Sequence, residues 1–173
     1  VLRYAGNIPH RLLLVDNGSV EPEILSFFRQ VSHPNKQVIR IEKNESSIKG
    51  SNAVIPLIQT KYFLLVANDV YITPRCVENL LICAESDPRI AMVNPVSPYT
   101  GHAQQEDLGG FTDDDEMIAK AEKFNHSDAR LWDERMVLVP TAVLYKREVF
   151  DQVGLYDADY PHDYGDNDLS FRI

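Results

Sequence analysis

The sequence predicts an α/β sandwich with a mostly parallel central sheet, and three observations carry that expectation. Apolar runs at Leu12–Val15, Phe63–Ala67 and Ile90–Val93 read as short buried strands, each leaving the core through Asn, Asp, Gly or Pro. Between them lie segments with apolar residues at helical spacing, such as Ile24, Phe27, Phe28 and Val31. Strand and helix patterns thus alternate along the first half of the chain, as in βαβ units.

Taken in order, Leu12–Val15 ends in Asp16, Asn17, Gly18 and Ser19, where Gly18 can take a positive φ. A helix behind Glu21 and Glu23 follows, then a short strand over Gln37–Ile41. Lys43–Ser51 reads as loop, because a helix beginning near Asn52 keeps Pro56 close to its first turn. Phe63–Ala67 has no polar alternation and suits a strand buried on both faces. It delivers Asn68 and Asp69 to its carboxyl end, where open α/β sheets bind their ligands, although Asn and Asp also favour turns for backbone reasons alone. Thr73 and Pro74 then read as N-cap and N1 of a helix whose apolar face carries Val77, Leu80, Leu81 and Ala84.

Beyond Ser97 the pattern changes to a long polar segment containing Asp113, Asp114, Asp115 and Glu116, a length between core elements that points to function or mobility. Met136–Tyr145 returns to strand character, and Pro140 within it suggests a sheet edge or a bulge. Arg147–Val153 reads as a short helix stopped by Gly154, and the chain closes on an acidic, tyrosine-rich tail.

The length of 173 residues suits one domain, and 44% hydrophobic with 25% charged residues is ordinary for a soluble globular protein. A net charge of −9 without a basic cluster argues against nucleic-acid binding. An acidic protein can still handle an anionic substrate if a divalent cation bridges the like charges. No run is long enough to span a membrane. Cys76 and Cys83 fall about 10 Å apart along a helix, too far for a disulfide, and read as buried thiols compatible with a reducing compartment. The opening VLRYAGNIPHR reads as the end of a helix and a loop, and the last residues as an unfinished helix. A single domain over residues 1–173, lacking a first strand and C-terminal elements, is therefore expected.

Three separated segments together resemble one family. LLLVDNGS at Leu12–Ser19, KGSNAVIPLIQTKYFLLVANDVYITP at Lys49–Pro74 and TAVLYKREVFDQVGLYDADYPHDYGDNDLSFR at Thr141–Arg172 are similar, in that order, to the inverting nucleotide-sugar glycosyltransferases of family 2. The resemblance implies the GT-A fold, a Rossmann-like α/β/α sandwich. It also implies a UDP-, dTDP- or GDP-linked sugar as donor, a glycan or lipid-linked acceptor, and Mn2+ or Mg2+ as cofactor. The implied place of work is the cytoplasm or the cytoplasmic face of a membrane. Asn68–Asp69 resembles the NND form of rhamnosyltransferases and similar enzymes of polysaccharide biosynthesis.

Residue by residue, the resemblance gives Asp16 the nucleobase, Asn52 and Asn68 places near the donor, and Asp69 the metal. Hard divalent cations take oxygen ligands from one or two carboxylates and from substrate phosphates, which suits a diphosphate leaving group. Asn68 stands where many relatives carry an acid, so the metal rests on fewer charges here. Asp16 can equally cap the turn around Gly18, and Asn52 can be a helix N-cap. Aligning GDNDL with the family's ED-x-D-L puts the general base at Asp166 and a companion at Asp168, with Gly165 in place of the family's glutamate. If that glutamate is the base elsewhere, Asp163 or Asp166 must serve here. Asp166 and Asp168 can also cap the last helix. His162 reads as a surface histidine rather than a ligand, and Asp113–Asp115 as part of an acceptor-facing lid.

Rival classes lack their residues. A haloacid dehalogenase-type phosphatase needs a second acid two positions after Asp69, where Tyr71 stands, and no G-x-G-x-x-G turn follows a strand. The remaining alternative is a GT-A-like glycan-binding or structural domain without catalysis, which Gly165 and Asn68 motivate.

Overall fold

The structure, a computed structural model, describes residues 2–5, 7–100, 104–162 and 164–173. Among them, β1 (Leu12–Asn17) and β2 (Lys36–Ile41) pair in parallel, Leu12 against Lys36 through Asn17 against Ile41, with α1 (Pro22–Gln30) as the crossover. After α2 (Ser47–Val54) come β3 (Tyr62–Val66), α3 (Cys76–Ser86) and β4 (Met92–Val93). Later in the chain follow α4 (Asp114–Phe124), β5 (Ala142–Lys146), α5 (Val149–Val153) and α6 (Gly165–Arg172). β5 lies between β3 and β4 and is antiparallel to both, so β3 and β4 run the same way and β5 is the one reversed strand.

The layers follow from the period-two alternation of β5. Ala142 and Leu144 face a cluster with Ile72, Cys76, Val77, Leu80 and Ala84 on the α3 side. Val143 and Tyr145 face Ile55, Phe150, Tyr156 and Leu169 on the other. All five β5 residues are buried, and even Lys146 is satisfied there, its Nζ donating to the carbonyls of Pro88 (2.6 Å) and Asp87 (3.3 Å) at the exit of α3. A sheet with apolar clusters and helices on both faces is an α/β/α sandwich, as the sequence predicts.

Several local expectations need correction. β3, expected to be buried on both faces, is half-buried throughout, because it is an edge strand of its three-stranded sheet and β5 takes the centre. Pro140 marks neither an edge nor a bulge: the strand begins only at Ala142, and the residues before it are irregular. α2 starts five residues before Asn52, because Ser46, at φ 105°, accepts a hydrogen bond from the Lys49 N–H (3.4 Å) as N-cap. Pro56 then falls just past the helix in a 3-10 turn at Ile55–Leu57, where its missing N–H breaks nothing. α3 begins at Cys76 behind Arg75 in the left-handed region (φ 62°), so Thr73 and Pro74 form the preceding turn instead of cap and first residue. No helix among the described residues is long and apolar enough to cross a membrane.

Candidate functional site

The turn after β3 is built by the neighbouring strand. The Ala67 N–H donates to the Thr141 carbonyl (2.9 Å), continuing the β5 pairing one step, and the Val70 N–H then closes back on the Ala67 carbonyl (3.2 Å). Asn68 and Asp69 are the two central residues of that turn, and both are exposed. Among the described residues neither side chain takes a hydrogen bond or an ion pair, so the Asp69 carboxylate is available to a ligand.

Asp16, at the end of β1, is 2% exposed. Its Oδ1 accepts the Ser19 N–H (2.8 Å), and its Oδ2 pairs with the Arg40 guanidinium, which also donates to the Ser19 carbonyl (3.0 Å). Arg40 stands directly opposite Asp16 in the parallel register. Burial pushes the Asp16 carboxyl up, but the Ser19 N–H and hydroxyl and the Arg40 guanidinium outweigh it and hold it below its ordinary value. A cleft of about 400 Å³, lined by Asp16, Phe28, Lys36, Val38 and Arg40 among others, opens beside this pair. Gly18 is required here: at φ 82° a Cβ would lie 2.5 Å from the Asn44 nitrogen, so the loops after β1 and β2 touch backbone to backbone.

Asn52 lies inside α2 and its amide is spent at both ends, Nδ2 donating to the Tyr156 carbonyl (2.8 Å) and Oδ1 accepting the Tyr156 N–H (3.1 Å). It therefore caps no helix, and the contacts it makes are with the segment between α5 and α6. The Tyr156 hydroxyl meets that of Tyr145 at 2.8 Å in the core. Burial and the nearby Asp166 charge push the Tyr156 phenol up to about 12 against the lowering effect of that hydrogen bond.

Asp166 is half-buried in the first turn of α6 and takes no hydrogen bond among the described residues. Asp168, expected as a companion or cap, instead binds the Arg172 side chain (2.6 and 2.9 Å), which reaches the Val153 and Leu155 carbonyls and ties α6 to the end of α5. Neither aspartate caps α6, whose N-cap position is Tyr164 in the left-handed region (φ 66°). Gly165 is closely packed: a Cβ there would lie 2.8 Å from Cδ1 at the far end of the Ile48 side chain and 3.3 Å from the Tyr160 carbonyl, so a side chain at this position requires Ile48 to move. His162 is exposed, and Asp163 lies outside the described residues.

The acidic run is helix chemistry. Asp113 caps α4 through the Glu116 N–H (2.8 Å), Glu116 accepts from the Thr112 N–H (2.8 Å), and the remaining acids sit in the first turn, where the helix dipole favours them. The far end of α4 docks on the loop beyond the Asn68–Asp69 turn, Asn125 Nδ2 donating to Thr73 Oγ1 (2.9 Å) and the Pro74 carbonyl (2.8 Å).

Among the described residues no group of three His, Cys, Asp or Glu side chains is gathered as a metal cage. One free carboxylate beside one amide oxygen suits a hard divalent cation that completes its shell with substrate phosphates and water, as Mg2+ and Mn2+ do. The sequence reading missed Arg40, whose charge opposite Asp16 on the adjacent strand is a signal once the register is known. It also missed the Tyr145–Tyr156 pair, which carries no local signal.

In an α/β/α sandwich, a carboxylate beyond the carboxyl end of a strand and unpartnered among the described residues lies where such sheets place their ligand sites. The family model described as glycosyl transferase family 2 matches residues 3–154, and the chain belongs to that family. No curated protein matches the sequence. Among solved structures, a crystal structure of GalNAc-T7 with UDP, GalNAc and Mn2+ is similar with a TM-score of 0.64 at 14% identity, covering 94% of this chain and 34% of that one. The chain thus spans about a third of that protein, and the likeness supports the GT-A fold. Asp16, Asn52, Asn68 and Asp69 fall within the matched family span, and Asp166 lies beyond it.

Proposed function

We propose that the chain is the nucleotide-sugar domain of an inverting glycosyltransferase, moving a sugar from a nucleoside diphosphate to an acceptor hydroxyl on a glycan or lipid-linked saccharide. The observation that carries this is the exposed, unpartnered Asp69 in the turn after β3, inside the span that matches the family. Asp69, with the Asn68 amide beside it, would hold Mn2+ or Mg2+. When bound, the cation offsets the charge that grows on the departing diphosphate.

The chain's own residues supply the rest. Asp16 and Arg40, near the ends of β1 and β2, border the cleft and would bind the base and ribose, Asp16 by accepting N–H or O–H donors on the lone pairs that Ser19 and Arg40 leave over. Asp166 would take the proton from the acceptor hydroxyl as its oxygen bonds to the anomeric carbon from the face opposite the leaving phosphate. The bond to the phosphate oxygen breaks in the same step, and the configuration inverts. A carboxylate without a competing hydrogen bond is suited to that task. α4, docked beside the Asn68–Asp69 turn, would be the acceptor-facing lid. The likeness of Ala67-Asn68-Asp69 to the NND motif of rhamnosyltransferases favours a donor of the deoxyhexose kind, with surface polysaccharide as acceptor class.

Gly165 does not by itself favour a non-catalytic domain, because the adjacent Asp166 still supplies a half-buried carboxylate in the first turn of α6. The test is release of nucleoside diphosphate from a panel of UDP-, dTDP- and GDP-sugars with Mn2+. One donor class is expected to turn over in the wild type, and Asp166→Asn to lower that turnover about 100-fold or more. Nucleotide binding without turnover of any donor would overturn the proposal in favour of a binding domain.

A further inference from the structure

α2 touches both halves of the proposed site. Gly50, on one side of it, faces the ends of β1 and β2: a Cβ added there would lie 3.7–3.8 Å from the Asn17 side chain and the Ile41 Cδ1. Ile48 and Asn52, four residues apart and so on one face, meet the C-terminal segment instead. The Ile48 Cδ1 lies 2.8 Å from where a Cβ on Gly165 would be, and Asn52 grips the Tyr156 backbone through both its N–H and its carbonyl. Tyr156 is held a second time through its side chain, whose hydroxyl bonds that of Tyr145 on the central strand.

Resting on the glycosyltransferase proposal above, we infer that Asn52 is a positioning residue for the acceptor side of the reaction, clamping the segment that carries Asp166, and not a ligand of the nucleotide sugar. The side-chain amide is already committed at both its oxygen and its nitrogen to a partner 104 residues away, whereas a donor ligand needs those groups turned to the sugar or phosphate. The loop between Tyr156 and Gly165 has both ends pinned on the same face of α2, and Asp166 is the next residue after the second pin. Releasing the first pin lets α6 shift relative to the ends of β1 and β2. Displacements near 1 Å between reacting groups cost on the order of 100-fold in rate.

The variants are Asn52→Ala, which removes the clamp, and Asn52→Asp, which keeps the acceptor for the Tyr156 N–H but sets a carboxylate oxygen against the Tyr156 carbonyl. Each is checked for folding by circular dichroism and thermal melting, then titrated calorimetrically with UDP, dTDP and GDP in Mn2+ and assayed at saturating donor. The clamp predicts nucleotide affinity within about twofold of wild type together with a kcat lowered about 10- to 100-fold. It also predicts faster amide hydrogen exchange in the first turn of α6, with exchange in β3 unchanged. A tenfold loss of nucleotide affinity at unchanged kcat would overturn it and return Asn52 to the donor. Should the wild type turn over no sugar nucleotide, the glycosyltransferase proposal falls, and exchange alone decides the clamp: unchanged protection at the start of α6 overturns it.

Discussion

β1 and β3 end in the same two residue types in opposite order, Asp16–Asn17 and Asn68–Asp69, and the two aspartates have opposite fates. Asp16 is still within its strand, in register with Arg40 of β2, and is buried, ion-paired and bonded to Ser19. Asp69 lies three residues past the last residue of β3, in a turn that the pairing of Ala67 with Thr141 has already left behind, and no neighbouring strand offers it a partner. The carboxyl end of a strand decides where a carboxylate is delivered. The neighbouring strand decides whether it is tied into the fold, as Arg40 ties Asp16, or left without a protein partner, as Asp69 is among the described residues.

Substitutions at the two positions should therefore separate cleanly. The largest effect is on catalysis: Asp69→Ala should lower sugar-nucleotide turnover about 100-fold or more while changing stability in urea by less than about 0.5 kcal/mol. Equal losses of stability at both positions would break the contrast. Asp16→Ala should destabilise by about 1–3 kcal/mol, since it removes charged hydrogen bonds from the turn and leaves Arg40 without its partner. Urea unfolding followed by circular dichroism measures both.

The pH dependence sharpens the same contrast. Because the Asp16 carboxyl sits below its ordinary value in the folded protein, the unfolded chain binds its proton first as pH falls. Its contribution is complete above the unfolded value, near 3.8, and is lost as pH drops through the lower folded value. Asp16→Asn should flatten the acid limb of the stability profile in that window, and Asp69→Ala should leave the limb as in wild type. The smallest effect is expected at Arg40, whose side chain is 39% exposed: Arg40→Lys should cost less than about 1 kcal/mol, because a partly solvated cation still faces the buried Asp16 carboxylate.

What the sequence discloses follows the range of the interactions involved. β1, α1, β2 and the Asn68–Asp69 turn are local patterns, and the chain places them within a residue or two of where periodicity and turn chemistry put them. The start of α2 was hidden because Pro56 looks like an early-helix proline, whereas Ser46 has already capped the helix and ended the need for its N–H. That β5 is central and reversed cannot be read from AVLYK, since a five-residue apolar run carries no direction and its partner β3 lies some 80 residues earlier. The site divides the same way. Asp16, Asn68, Asp69 and Asp166 are visible as types in suggestive places, but their availability depends on Arg40, Thr141 and the packing of Gly165 against Ile48. Asn52 looked like a donor residue or a cap, and only its contact with Tyr156 shows which half of the molecule it holds.

The most direct test of the account is calorimetric titration of UDP, dTDP and GDP into wild type and Asp69→Ala, each with and without Mn2+. One nucleotide is expected to bind the wild type at least about tenfold more tightly with Mn2+ than without, because Asp69 would hold a cation that offsets the diphosphate charge. Asp69→Ala, folded as well as wild type, should bind that nucleotide with the same weak affinity in both conditions. The same metal-dependent gain in both proteins would contradict the assignment of Asp69 and, with it, the donor site proposed at the end of β3.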